Sequence, residues 1–200
     1  NTVGRYDQYM YPYYIADVNS GKITEEQALA LTEEFFLSCS KDSDLYAGIQ
    51  QGDNGQSLVV GGCDEDGNDA YNLLSEIVLE ASEELCVIDP KINLRVDANT
   101  PLEVFKLGAE LTKRGLGFPQ YDNDDVVIPG LMKLGYSKED AHNYVVAACW
   151  EFIIPHIGAD IANIGAMSYP KAVDEALHSA LQDAHSYEDF LSGVKQEIRK

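Results

Sequence analysis

Between Tyr144 and Pro155 the chain reads Val145-Val146-Ala147-Ala148-Cys149-Trp150-Glu151-Phe152-Ile153-Ile154, an apolar stretch that contains a single carboxylic acid and is closed by a proline. A run of this kind predicts one buried extended strand rather than a helix. Residues two apart in an extended chain point to the same face, so Cys149 and Glu151 are expected to project together into one pocket while Trp150 packs the other way. Acids are rarely buried without a partner. Desolvation would raise a buried Glu151 toward neutrality, where a carboxyl can carry protons. Cys149 taken alone also fits a small core hydrophobe. An ionised acid beside it disfavours the thiolate, which argues against a protease-type nucleophile that wants a cationic neighbour. Hydrogen-atom chemistry carries no such requirement, because a thiol and a thiyl radical are both neutral.

The stretches that precede this run alternate strand and helix. The first 22 residues carry five tyrosines and close on Asn19-Ser20-Gly21, a turn signal. Thr24 with Gln27 forms a capping-box pattern, and the apolar positions of that helix run to about Ser38. Lys41 to Gly55 reads as a polar loop, and Ser57-Leu58-Val59-Val60 as a strand entering Gly61-Gly62. No Gly-x-x-x-x-Gly-Lys follows, so the glycine pair does not specify a nucleotide loop. Asp69 or Asn68 is expected to cap the most regular helix, with Ala70, Leu73, Leu74, Ile77, Val78, Ala81 and Leu85 on its apolar face. Asp64, Asp66 and Asn68 open like a calcium loop, but Asp69 stands where the turn needs glycine and Ser75 where it needs a bidentate acid, so that site is rejected. Ile92 to Val96 predicts a second strand, Thr100-Pro101 a helix running to about Lys113, Leu116 to Tyr121 a short strand, and Val126 to Leu134 a further helix. After Pro155 the chain is irregular and punctuated by glycine, a plausible pocket rim in which His156 and Asp160 are candidates for substrate hydrogen bonding or proton relay. Asp160 is equally suited to capping. Tyr169 to Asp183 and Tyr187 to Ile198 predict two amphipathic helices. The alternation argues an α/β fold.

Ala148-Cys149-Trp150-Glu151 resembles the Cys-x-Glu motif of the glycyl radical enzymes, the pyruvate formate-lyase-like family. Other blocks are similar to that family in the same order: Gly4-Arg5-Tyr6-Asp7-Gln8, Val60-Gly61-Gly62, Gly67 to Asn72, Arg95, Thr100-Pro101-Leu102-Glu103, Gly115 to Pro119, Asn123-Asp124 before Ile128-Pro129, and Glu139-Asp140-Ala141 leading through Tyr144. The resemblance implies a ten-stranded barrel, of which 200 residues would make consecutive strand-helix units from the middle. It implies that Cys149 becomes a transient thiyl radical, that Glu151 acts as general base or acid, and that Arg5, Asp7 and Gln8 lie near the active site. An internal Arg5–Asp7 salt bridge explains those two residues equally well. The family keeps its stored radical on a glycine near its C-terminus, and Ala98 stands where the nearest look-alike, Arg95-Val96, would need that glycine. Residues 1–200 would therefore be a partial domain, inert alone and without the C-terminal glycyl radical domain.

The resemblance further implies a separate radical-S-adenosylmethionine activase that installs the protein radical, a small-molecule substrate, anaerobic metabolism, and a homodimer in the full-length form. The family's pyruvate formate-lyase members have two adjacent cysteines. Here Ala148 precedes Cys149 and Glu151 follows, which favours a lyase or dehydratase that breaks a C–O, C–N, C–S or C–C bond over formate acetyltransfer. Ala148, where glycine is frequent in the family, and Phe152, where proline is frequent, are departures. A non-catalytic oligomerising domain and a Cys/His hydrolase using Cys149 with His142 or His156 are the other classes; the radical reading expects a buried, sluggish thiol. A net charge of −20 disfavours nucleic acid and anionic membrane surfaces as partners. With no run of ~18 apolar residues, the chain is expected in the cytoplasm. Cys39, Cys63, Cys86 and Cys149 are too scattered to write a zinc or iron–sulfur site, and none bound here is expected. The start at Asn1 fits a processed or trimmed segment.

Overall fold

The computed structural model describes residues 2–41, 55–158 and 167–199. Two compact units are present, Asn1–Asp160 and Ile161–Lys200. In the first, β1 (Thr2–Arg5), β2 (Ser57–Gly61), β3 (Lys91–Val96) and β4 (Gln120–Asn123) form one parallel sheet in the order of the chain. Parallel neighbours need a crossover, and the helices supply it: α1 (Tyr6–Tyr9), α2 (Tyr11–Asn19) and α3 (Glu25–Cys39) after β1, α4 (Leu73–Leu85) after β2, and α5 (Leu102–Lys113) after β3. Then come α6 (Asp124–Lys133) and α7 (Lys138–His142). The second unit consists of α8 (Tyr169–Ser179) and α9 (Tyr187–Ile198), capped by Ser168 and Ser186. No helix among the described residues is long and apolar enough to cross a membrane.

Strand alternation gives the sheet two different faces. Leu58, Val60, Ile92, Leu94 and Val96 pack with Phe36, Val78, Leu79, Val104 and Leu111 of the helices. The intervening positions, Val59, Asn93, Arg95 and Asp122, lie on the opposite face, where Val59 joins Tyr144, Val145, Val146 and Ala147. Thr24 and Gln27 make the expected capping box on α3. The cap of α4 differs from expectation. Asn72, not Asp69 or Asn68, accepts from Leu74 and Ser75, while Asp64 and Asp69 organise the preceding turn through the amides of Asp66, Asn68 and Tyr71. Asp side chains favour such turns as readily as helix caps, and Asn72 is the residue with helix directly behind it.

The apolar run is not one strand. It folds into an antiparallel hairpin, β5 (Val145–Ala147) and β6 (Glu151–Ile153), turned at Ala148-Cys149-Trp150 and paired Val145 to Ile153 and Ala147 to Glu151. At ~3.3 Å per residue a single strand of this run would reach ~33 Å, whereas the parallel strands it must pack on are four to six residues long. Folding the run in half matches its length to theirs and buries β5 against β1 and β2.

A buried ion pair fixes where the hairpin sits. Arg95 donates Nε to Asp124 Oδ1 and Nη2 to Asp124 Oδ2, both at 2.9 Å. Its Nη1 donates to the Tyr144 carbonyl, and its guanidinium carbon lies 4.0 Å from the Tyr144 ring centroid. Tyr144 Oη donates in turn to Asp124 Oδ1 at 2.6 Å, and the Cys63 amide to Asp124 Oδ2. Burial alone would push the Asp124 carboxyl up, but Arg95 and Tyr144 outweigh it and hold it below the usual carboxylate range. Below the sheet end, Gly61 is clasped on both sides: its amide donates to Asp7 Oδ2, and its carbonyl accepts from Arg5 Nη2.

This packing leaves no room at Gly62, where φ is +74° and an added Cβ would lie 2.5 Å from Arg95 Nε and 2.8 Å from Asp124 Oδ2. Gly62→Ala is expected to destabilise the protein by about 2–5 kcal/mol, from overpacking plus left-handed strain. A urea midpoint equal to that of the parent would refute this account of the clamp.

Candidate active site

The turn of the hairpin carries the two residues singled out by sequence. Cys149 is exposed rather than buried, and Glu151 is half-buried at the start of β6. The two therefore do not lie on one face of a strand inside a pocket. They are joined instead through the backbone: Glu151 Oε2 accepts from the Cys149 amide at 2.8 Å and from the Trp150 amide at 3.0 Å. The carboxylate caps its own turn, which ties the acid and the cysteine into one small rigid element. Ala148 enters the turn at φ +48°, a left-handed conformation, and its carbonyl accepts from Ser57 Oγ on β2 at 3.0 Å.

Trp150, at the tip, is half exposed, yet its indole Nε1 donates to Asp122 Oδ1 at 2.6 Å. Asp122 is on β4 beside Arg95 in the sheet register, almost fully buried, and its second oxygen has no hydrogen-bond partner among the described residues. Burial raises this carboxyl to about 6; the indole bond and Arg95 oppose the rise, and Asp124 adds to it. The Asp122-Asn123-Asp124-Asp125 run looks solvated in sequence, and only strand alternation through Arg95 could have singled out Asp122 and Asp124 as inward residues. Ser57 and Trp150 gave no signal beyond their place in apolar runs.

The other expected site residues lie elsewhere. Arg5 Nη2 donates to the Gly61 and Cys63 carbonyls, and Asp7, with no exposed surface, accepts from the Gly61 amide and from Ser75 Oγ. Burial raises the Asp7 carboxyl against those bonds, and burial lowers the Arg5 guanidinium to about 10. Gln8 Nε2 donates to the Ala70 carbonyl. These side chains bond the protein's own backbone, and the two charges meet on Gly61. Arg5 and Gln8 also line a cleft of about 310 Å³ with Asp64, Glu65, Asp66 and Asn143. His156 is exposed at φ +68° in the turn after β6, beyond the base of the hairpin and not at its tip. Asp160 lies outside the described residues. His142 is engaged with the Asp64 carbonyl, so the Cys/His pairing has no support from a contact to Cys149. Among the described residues no cluster of His, Cys, Asp and Glu could hold a metal ion.

The sequence model of the family described as Pyruvate formate lyase-like matches residues 1–191. The (2S)-3-sulfopropanediol dehydratase of Klebsiella oxytoca is 36% identical over 154 residues, 74% of this chain and 19% of that protein. The isethionate sulfite-lyase of Desulfovibrio desulfuricans is 31% identical over 182 residues, 88% of this chain and 22% of that protein. Among solved structures, the glycerol-bound form of the B12-independent glycerol dehydratase from Clostridium butyricum superposes with a TM-score of 0.73 at 28% identity, over 97% of this chain and 27% of that one. The chain thus spans about a fifth of the length of the curated relatives it matches.

Because its folded-state carboxyl is raised, Asp122 binds its proton more tightly folded than unfolded. Its contribution to stability is present below about pH 4 and lost as pH climbs from about 4 to 6. Asp122→Asn is expected to remove that slope, worth at most ~3 kcal/mol, from a plot of urea-unfolding free energy against pH. A slope identical in parent and variant would show that Asp122 does not titrate in this window.

Proposed function

Since this chain belongs to the pyruvate formate-lyase-like family of glycyl radical enzymes, and its strand-helix units are consecutive units of that barrel, we propose that its full polypeptide is a lyase or dehydratase that breaks a C–O, C–N, C–S or C–C bond of a small molecule. Residues 1–200 would be a partial domain that is inert alone. The observation that carries the reading is the hairpin tip, where the Cys149 and Trp150 amides both donate to Glu151 Oε2 and so tie the cysteine to the one carboxylate beside it; the thiol itself is exposed in residues 1–200, not buried as that reading expects.

The chemistry follows from those two groups. A glycyl radical installed by an S-adenosylmethionine-dependent activase would supply the unpaired electron to Cys149. As a thiyl, Cys149 takes a hydrogen atom from a substrate carbon and becomes a thiol again, leaving the substrate as a carbon radical. Glu151 then moves the proton that accompanies departure of the neighbouring group. The thiol returns its hydrogen atom to the product radical, so electrons and hydrogen balance over the cycle. No thiolate forms at any step, which is why a carboxylate beside the cysteine is compatible with the reaction. Arg5, Gln8, His156 and Asp160 are proposed for substrate contacts, whereas Asp7, the fifth residue expected there, has no exposed surface and holds the Gly61 amide instead. A homodimer of the full polypeptide completes the proposal.

Cys149→Ala in the full-length protein is expected to abolish turnover while leaving the glycyl radical doublet intact in electron paramagnetic resonance. Glu151→Gln keeps an oxygen to accept both tip amides but cannot exchange a proton, and kcat should fall about 10²–10⁴-fold. Turnover by Cys149→Ala would defeat the assignment.

A further inference from the structure

Among the described residues Asp122 has no counterion of its own. Arg95, the cation beside it on β3, is bound through both Nε and Nη2 to Asp124 at the start of α6, and Tyr144, packed over Arg95, gives its hydroxyl to Asp124 as well. Burying a carboxylate without a dedicated cation is unfavourable. The bond that Asp122 does make, at 2.6 Å, goes to the chain's only tryptophan, which stands between Cys149 and Glu151. Trp150 in turn gives its backbone amide to Glu151 Oε2, alongside the Cys149 amide. The indole remains half exposed, so apolar burial alone does not account for its orientation.

We propose that Asp122 is a positioning residue for the reacting groups: anchored on the rigid parallel sheet, it grips the Trp150 indole and thereby sets where the Cys149 thiol and the Glu151 carboxyl point. The proposal rests on the reading of Cys149 and Glu151 given above and extends it to a residue that touches neither. The hairpin is joined to the sheet near its tip at two places, Ser57 Oγ to the Ala148 carbonyl on one flank and Asp122 to Trp150 on the other. A turn of three residues held at both flanks cannot pivot, and hydrogen-atom transfer depends steeply on the approach of the reacting atoms. Asp122 needs only an acceptor oxygen for this role, so an amide can replace it whereas a methyl cannot.

The test uses the full-length activated protein carrying Asp122→Asn, Asp122→Ala, Trp150→Phe, and Asp122→Ala with Trp150→Phe combined. Turnover is divided by the glycyl radical spins per subunit, so that loss of folded or activated protein does not count. Asp122→Ala and Trp150→Phe should each lower kcat per spin about 10-fold with KM within about threefold. The combined variant should be no slower than either, and Asp122→Asn should restore most of the rate. Unchanged kcat per spin in Asp122→Ala, or losses that multiply in the combined variant, would overturn the proposal. In protein labelled with ¹⁵N-tryptophan, the Trp150 indole resonance, assigned by its disappearance in Trp150→Phe, should shift in Asp122→Ala; an unmoved resonance would also overturn it. Turnover by Cys149→Ala would fell the radical reading itself, and the indole resonance then decides the Asp122 contact without reference to activity.

Discussion

An arginine buried on the face of a parallel sheet is the constraint around which this chain is arranged. Arg95 is 1% exposed, and an uncompensated guanidinium in that position would be prohibitive. Compensation draws in every neighbouring element: both oxygens of Asp124 at the start of α6, the carbonyl and ring of Tyr144 ahead of the hairpin, and Cys63 after β2. Once these bonds are satisfied, the loop after β2 must pass close by, which only a residue without a side chain permits, and the hairpin must begin where Tyr144 ends. Breaking one partner of such a pair costs about 3–5 kcal/mol, because the other charge is left buried and alone.

Much of this was legible in the residues. The capping box at Thr24 and Gln27, the strands near 57–60 and 92–96 and the amphipathic pattern of α4 are local signals, each carried by residues within a few positions of one another, and all four elements form. The hairpin was not legible. Its turn has no glycine, asparagine or aspartate, and nothing in an unbroken apolar run says that it must double back. That decision is tertiary, made by the length of the strands it packs against. Ala148 shows what the missing signal would have been. It occupies a left-handed position that glycine adopts freely and that alanine enters at a cost.

The geometry of the two candidate residues differs from the one their spacing predicts. Cys149 and Glu151 do occur together, but through amide-to-carboxylate bonds across a turn instead of side-by-side projection from a strand. Arg5 and Asp7 were visible as a charged pair, yet what they hold is the backbone of Gly61, a partner that no pattern of side chains announces. Asp122 lay hidden in an acidic run whose alternate members face opposite environments.

Glu151 has two oxygens, and the turn treats them differently. Oε2 accepts from two backbone donors, and neither of them reaches Oε1. A carboxyl in water is symmetrical and serves either face of a substrate. Tied down in this way it becomes handed, so that in the proposed role of Glu151 the stereochemistry of proton delivery would be written in the backbone of a three-residue turn rather than in the walls of the pocket.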